Sequence, residues 1–144
     1  MYIIFLGAPG AGKGTQAATV AEKLNLVHIA SGNLFRQAVE QQTELGLKAK
    51  WYMEKGMLVP DPITIQMVLE RMSAPDCARG VALDGFPRNL PQAKALDKAL
   101  GEQAKAIDKA IYIKVSEQEL LNRLSGRWVC RQMPGTISHH KFSP

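Results

Sequence analysis

Residues 7–15 read Gly7-Ala8-Pro9-Gly10-Ala11-Gly12-Lys13-Gly14-Thr15 and follow directly on the apolar run Tyr2-Ile3-Ile4-Phe5-Leu6. A strand that empties into a glycine-rich turn, ending in lysine and opening a helix, is the arrangement that holds a nucleotide's phosphates. Glycine is needed because successive backbone N–H groups must converge on an anion, and a Cβ would block both the approach and the positive φ values. Lys13 adds a mobile positive charge for the outer phosphates, and the helix behind it adds the positive end of its dipole. The match to G-x-x-x-x-G-K-[ST] departs at one place: Gly14 stands where Ser or Thr is expected, with Thr15 one residue later. A plain glycine turn between strand and helix is the blander reading. The flanking strand and helix, which the motif requires, argue against it.

A chain of 144 residues fits one domain with a real core. Its composition is globular, at 46% hydrophobic and 22% charged. No apolar stretch approaches the ~20 residues of a membrane span, and the N-terminus lacks the pattern of a signal peptide. Cys77 and Cys130 are far apart and suggest no disulfide framework, which fits a reducing cytoplasm. The net charge of +5 is spread among acids rather than gathered in a stripe, so small anionic ligands explain it as well as a nucleic-acid surface would.

Four short runs read as buried parallel strands: Tyr2–Leu6, Leu26–Ala30, Gly80–Leu83 and Lys109–Val115. Helical patterns alternate with them. Lys13–Leu24 follows the glycine loop; Thr64–Met72 is apolar on one face, with Asp61 as N-cap and Pro62 at the first position. Pro91–Leu100 is a third helix, and Ser116-Glu117-Gln118-Glu119 is a capping box opening a fourth. This alternation predicts an α/β fold, a parallel sheet covered on both faces. The connection between the second and third strands is far longer than a crossover needs. Ser31–Gly56 supplies two additional helical stretches there, a small lobe in which Gly46 and Gly56 bracket the second stretch as breakers or hinges. Arg127-Trp128-Val129-Cys130 reads as a short strand and Met133-Pro134-Gly135-Thr136 as a turn. Met53, Met57, Met67 and Met72 are expected as flexible core filler, and His28, Trp51 and Tyr52 as structural.

A second constellation, Asp84-Gly85-Phe86-Pro87-Arg88, follows the third strand. A carboxylate at the carboxyl end of a sheet strand, near a phosphate loop, is placed to hold Mg²⁺ through water. Gly85 permits close approach, Pro87 stiffens the segment, and the Arg88 guanidinium offers a planar fork for phosphate oxygens.

Together the two constellations resemble the adenylate kinases. The resemblance continues through Ile29-Ala30-Ser31-Gly32-Asn33-Leu34-Phe35-Arg36, Gly56-Met57-Leu58-Val59-Pro60-Asp61, Gln92, and Arg123-x-x-Gly126-Arg127, in order and over the whole chain. It implies a P-loop NTPase-type core over 1–29 and 60–126, a nucleoside-monophosphate lobe over 30–59 and part of a mobile lid over 127–144. It also implies reversible phosphoryl transfer from MgATP to AMP, giving two ADP, by a cytoplasmic monomer serving nucleotide homeostasis. Carried onto this sequence, Gly10, Ala11, Gly12, Lys13, Gly14 and Thr15 hold the ATP phosphates, reached from the far side by Arg123 and Arg127. Ser31, Arg36, Met57, Leu58, Val59, Gly85, Phe86, Pro87, Arg88 and Gln92 form the AMP site. Gln92 suits adenine because its amide both donates and accepts. Lys13, Asp84, Arg88, Arg123 and Arg127 are the expected catalytic set, with Mg²⁺ held by Asp84 through water.

Three departures from the family pattern stand out. Asn33 replaces the usual Asp, and Ser31 the usual Thr. Zinc-holding members carry Cys-x-x-Cys pairs in the lid, whereas Cys130-Arg131-Gln132-Met133 breaks the first pair, so no structural zinc is expected from Cys130 with His139 or His140. Ser138–Pro144 resembles the lid's His-x-x-Phe-x-Pro stretch, which implies a chain truncated within the lid and lacking a final strand and helix. On that reading Lys109–Val115 is an exposed edge prone to self-association, and turnover by this chain alone is weak or absent. Three alternatives remain: a UMP- or CMP-type kinase with the same loops, a fragment that binds nucleotide without turning it over, and a nucleic-acid binder that uses the positive charge.

Overall fold

The computed structural model describes residues 1–129 and 137–139. Its elements run β1 (Tyr2–Leu6), α1 (Lys13–Leu24), β2 (Val27–Ala30), α2 (Ser31–Glu40), α3 (Glu44–Glu54), α4 (Asp61–Met72), a 3-10 turn (Pro75–Cys77), β3 (Val81–Asp84), α5 (Leu90–Glu102), β4 (Lys109–Tyr112), α6 (Glu117–Ser125), β5 (Arg127–Val129) and β6 (Ile137–His139). The first four strands form one sheet in the order β2-β3-β1-β4, every pair parallel. The predicted parallel α/β architecture is what the chain forms. No helix among the described residues is long and apolar enough to cross a membrane.

Alternation along the strands divides the core in two. Tyr2 from β1 and Val81 and Leu83 from β3 face a cluster completed by Val68, Phe86, Leu96 and Leu100, beneath α4 and α5. Ile3 and Phe5, with Ala82, face the opposite cluster, where Ala17 and Ala21 bring α1 down onto the sheet. Those two alanines lie one helical turn apart on one face, so the helix backbone approaches the strands closely. Val81, Ala82 and Leu83 are fully buried because β3 is covered by helices above and below and by a strand on each side. Burial of each large apolar side chain there contributes ~1.5–3 kcal/mol.

Boundaries differ from expectation where local hydrogen bonds intervene. Leu26 is not in β2: its N–H closes the end of α1 on the Ala21 carbonyl at 2.8 Å, behind Asn25 in the left-handed conformation. β3 runs one residue further than expected, to Asp84, which pairs with Phe5 and Ala30. β4 stops at Tyr112 rather than Val115, because its partner β1 ends at Leu6; the last rung is Ile113 N–H to the Leu6 carbonyl at 2.8 Å. Among the described residues β4 pairs with β1 alone, leaving Tyr112 at the sheet edge. Asn89 caps α5 by accepting from Gln92 N–H at 2.9 Å. Ser116 caps α6 by accepting from Glu119 N–H, but the Glu119 carboxylate pairs with Arg123.

Two expectations for the inserted helices need correction. Gly46 is no breaker; it lies inside α3, where the chain crosses the Ala38 carbonyl so closely that no Cβ fits. Gly56 does sit beyond the end of α3, with φ of +66°. Asp61 is not a cap but the first residue of α4, behind Pro60, and its carboxylate is engaged elsewhere. Met67 is buried and Met72 packs on the core, whereas Met53 and Met57 are exposed. Trp51 is half exposed, edge-on to Tyr52 with Lys55 over its ring.

Candidate functional site

Because β1 and β3 are neighbours in register, with Phe5 opposite Asp84, the segments that follow them emerge side by side at the carboxyl edge of the sheet. This is where an open α/β sheet offers its crevice to ligands. The Gly7–Thr15 loop turns there. Gly12 precedes α1 with φ of +94°, a conformation open to glycine, and no side chain caps the helix. The first turn of α1 carries no acid, so its N–H groups and dipole remain available to an anion. Lys13 Nζ donates to the Ala8 carbonyl at 3.3 Å, which folds the ammonium back over the loop.

Asp84 meets this loop from the next strand. A Cβ on Gly14 would sit 3.2 Å from Asp84 Oδ2, so a Ser or Thr side chain at position 14 would crowd the carboxylate and push it aside by a few tenths of an ångström. That contact gives the displaced threonine a steric reason. His28 Nε2 lies 3.8 Å from the same carboxylate oxygen and is buried without a hydrogen-bond partner among the described residues. On the far side, Arg123 Nη1 donates to the Gly10 carbonyl at 3.4 Å while its Nε donates to Glu119 at 2.8 Å. Leu124 packs beside Gly10, so α6 rests directly on the loop.

A second cleft adjoins the first. Ser31, buried at the start of α2, donates its hydroxyl to the Gly85 carbonyl at 3.0 Å. Gly85 has φ of +80°, and a Cβ there would lie 2.6 Å from Ser31 Oγ and 3.2 Å from Arg88 Nη2, so any other residue would be strained and would displace those side chains. Arg88 Nε donates to the Gly85 carbonyl at 2.7 Å. Arg36 Nη2 donates to Asn33 Oδ1, and the guanidinium lies against Gly32. Gln92 is almost fully buried; its Oε1 accepts from Arg88 N–H at 2.8 Å and its Nε2 donates to Asp61 Oδ1 at 2.8 Å. The cleft between these groups holds about 80 Å³ and is lined by Ser31, Phe35, Leu58, Val59, Asp61, Thr64, Gly85, Arg88, Asn89 and Gln92.

Six residues of the expected second site therefore share one cleft: Ser31, Leu58, Val59, Gly85, Arg88 and Gln92. Four others of that set do not line it. Phe86 is buried in the core, Pro87 is half-buried, Met57 points to solvent, and Arg36 stands on α2 beside Asn33. Phe35, Asp61, Thr64 and Asn89 are lining residues that sequence reasoning missed. Asp61 looked like a helix cap, and nothing in the local pattern signals that α4 and α5 place it beside Asn89 and Gln92. Arg127 opens β5, where it pairs with His139 through the backbone. Cys130, the Met133–Thr136 turn and His140 lie outside the described residues.

Two features lie away from this edge. A cavity of about 540 Å³ opens between α2, α3 and α4 near Gln37, Lys48 and Arg71, and none of the expected site residues lines it. Burial pushes the Cys77 thiol up, and the hydrogen bond from Arg71 holds the Asp76 carboxyl below its ordinary range. No cluster of three or more metal-ligating side chains occurs among the described residues. A cation here would take most of its ligands from water and substrate oxygens, as Mg²⁺ does, with Asp84 as the protein carboxylate.

Comparison with known proteins agrees with this geometry. A family model described as adenylate kinase matches residues 5–140. The adenylate kinase of Carboxydothermus hydrogenoformans is 56% identical over 144 residues, covering 100% of this chain and 67% of its own length. That of Lachnoclostridium phytofermentans is 53% identical over 144 residues, covering 100% of the chain and 66% of its own. One from Dehalococcoides mccartyi is 58% identical over 132 residues, with 91% of the chain and 61% of its own length covered. The chain thus spans about two thirds of the length of the curated relatives it matches. With the loop, the Asp84–Arg88 segment and the second cleft in their places on a parallel sheet, this chain belongs to the adenylate kinase family.

Proposed function

We propose that these residues form the nucleotide-binding part of an enzyme that moves a phosphoryl group reversibly from MgATP to AMP, giving two ADP. The observation that carries the reading is the adjacency of two anion-binding clefts, joined by Asp84-Gly85 and flanked by Lys13, Arg88 and Arg123. The Gly10–Thr15 loop takes the ATP phosphates, with Arg123 and Arg127. The cleft of Ser31, Val59, Gly85, Arg88 and Gln92 takes AMP, and Arg36 and Met57, which lie outside its lining, belong to the same expected site.

Two nucleotides, each with a terminal phosphate near two negative charges, repel one another. Charge in the transition state spreads over the equatorial oxygens, so the protein's task is positioning and neutralisation. No general base is required, since the nucleophile is a phosphate oxygen of AMP. Lys13, Arg36 and Arg88 are held by neutral oxygens, those of Ala8, Asn33 and Gly85 respectively. Arg123 shares its guanidinium between the Gly10 carbonyl and a partly exposed Glu119. Such contacts orient the cations without neutralising them in a buried ion pair, so a phosphate oxygen can replace the carbonyl oxygen at little cost. Mg²⁺, when bound with ATP through Asp84 and water, supplies further charge neutralisation. The cleft of about 80 Å³ is well below the 300 Å³ or more of a ligand-sized pocket, so AMP entry requires the 30–59 lobe to move against the core.

Calorimetry with ATP and AMP, beside a coupled assay of ADP formation, tests the reading. It expects ATP binding that Lys13→Ala weakens by about 10- to 100-fold, the loss of one charge-assisted partner. It also expects AMP to bind better than UMP or CMP. ATP affinity indifferent to Lys13, or a preference for UMP, overturns it. The coupled assay separates a binding fragment from a self-sufficient enzyme.

A further inference from the structure

We propose that Asp61, acting with the Arg88 N–H, fixes which end of the Gln92 amide donates and which accepts, and thereby makes the second cleft select amino-substituted bases over oxo-substituted ones. This rests on the AMP reading above and names what enforces its base choice. A glutamine amide has nearly the same shape either way round, so a lone Gln reads either hydrogen-bond pattern by flipping. Gln92 has no such freedom. The Arg88 N–H, at 2.8 Å, requires an acceptor on one side, and the Asp61 carboxylate, at 2.8 Å, requires a donor on the other. Flipping would set carbonyl against carboxylate and N–H against N–H, in a position only 4% exposed to water.

Asp61 is itself held in place. It is the first residue of α4, and the Oδ1 atom that accepts from Gln92 also accepts from Asn89 Nδ2 at 2.9 Å. Asn89 in turn accepts from the Gln92 backbone N–H at 2.9 Å, which closes a ring of bonds between α4 and the start of α5. An amide nitrogen carries two hydrogens and an amide oxygen two lone pairs, so each end of Gln92 keeps one bond for a ligand in the cleft it lines. The order is fixed: Oε1 accepts and Nε2 donates. Adenine offers an exocyclic amino donor beside a ring-nitrogen acceptor, which complements that order. Hypoxanthine, guanine and uracil offer an oxo acceptor beside a ring N–H, which complements only the flipped amide. Cytosine has the adenine order, so its exclusion falls to the size of the cleft rather than to Asp61.

The experiment measures affinities of this chain for AMP and for inosine monophosphate, with ATP affinity and the melting temperature as controls, in the wild type, Asp61→Ala, Asp61→Ser and Asp61→Asn. The wild type should favour AMP, and Asp61→Ala should narrow the AMP-to-IMP ratio about tenfold while ATP binding holds. Asp61→Ser serves if the alanine variant does not fold; its hydroxyl donates or accepts, so it should narrow the ratio equally. Asp61→Asn keeps an oxygen acceptor that Asn89 orients, and should retain the ratio. A ratio unchanged in both Asp61→Ala and Asp61→Ser, with both affinities falling together, reduces Asp61 to a structural support and overturns the proposal. A wild type that does not prefer AMP over IMP instead overturns the AMP reading on which the proposal stands.

Discussion

The phosphate loop and the second cleft adjoin one another at the sheet edge, yet they are built in opposite ways. The loop is one continuous segment, Gly7–Thr15, whose proposed anion-binding groups are backbone N–H groups and the helix end behind them. The cleft draws Ser31 from α2, Val59 from the α3–α4 connection, Asp61 and Thr64 from α4, Gly85 and Arg88 from the β3–α5 connection and Gln92 from α5. The groups proposed to meet the ligand there are side chains; Arg88 is held locally by the Gly85 carbonyl, but others depend on bonds that span 31 residues or more, as from Gln92 to Asp61 and from Ser31 to Gly85. A local motif keeps its shape while its own residues are intact. A composite cleft depends on every element that contributes to it, so it is open to adjustment by lobe movement and also to damage from a distance.

Substitutions can be chosen to strain that contrast. The largest effect is expected for Lys13→Ala, which removes the loop's only side-chain cation and should lower turnover about 10²-fold or more in a form competent for catalysis, read as ADP production. Arg88→Ala should weaken AMP by about 10- to 100-fold while leaving ATP affinity within about twofold. If both affinities fell together in calorimetry, the two clefts would not be separable. Gly85→Val should be destabilising by about 1–3 kcal/mol, since it imposes a positive φ and drives a side chain into Ser31. Urea unfolding would show it, and ATP binding should survive wherever the fold does. The smallest effect belongs to Asp76, far from both clefts. Its folded pKa is lowered, so its contribution is present above the unfolded carboxylate value of about 3.9 and is lost as pH falls through the lower folded value. Asp76→Asn should therefore lower Tm by about two degrees or less at pH 7, with the difference vanishing once pH falls below that lowered folded value, because an exposed pair contributes little.

Much of this protein could be read along the chain. The strands showed themselves by short apolar runs, the helices by their periodicity and caps, and the loop by glycine spacing ending in Lys13, all patterns whose physical causes lie within a few residues of one another. The resemblance of the motifs to one family also pointed to the pairing of the loop with Asp84–Arg88. What the pattern misjudged was set by partners distant in sequence. Gly46 looked like a helix breaker until the Ala38 carbonyl was seen to pass where its Cβ would be. Asp61 had the right residue type and place for a helix cap, yet its carboxylate serves Gln92 and Asn89.

By itself, the order of residues determined the alternating α/β layout and the phosphate loop, because hydrophobic periodicity and glycine geometry act over short range. Only the tertiary structure decided which groups face each other across the second cleft, which way round the Gln92 amide sits, and why Gly14 leaves room for Asp84. Those outcomes follow from strand register and helix docking, which bring hydrogen-bond partners together from distant parts of the chain and leave no mark in any short stretch of it.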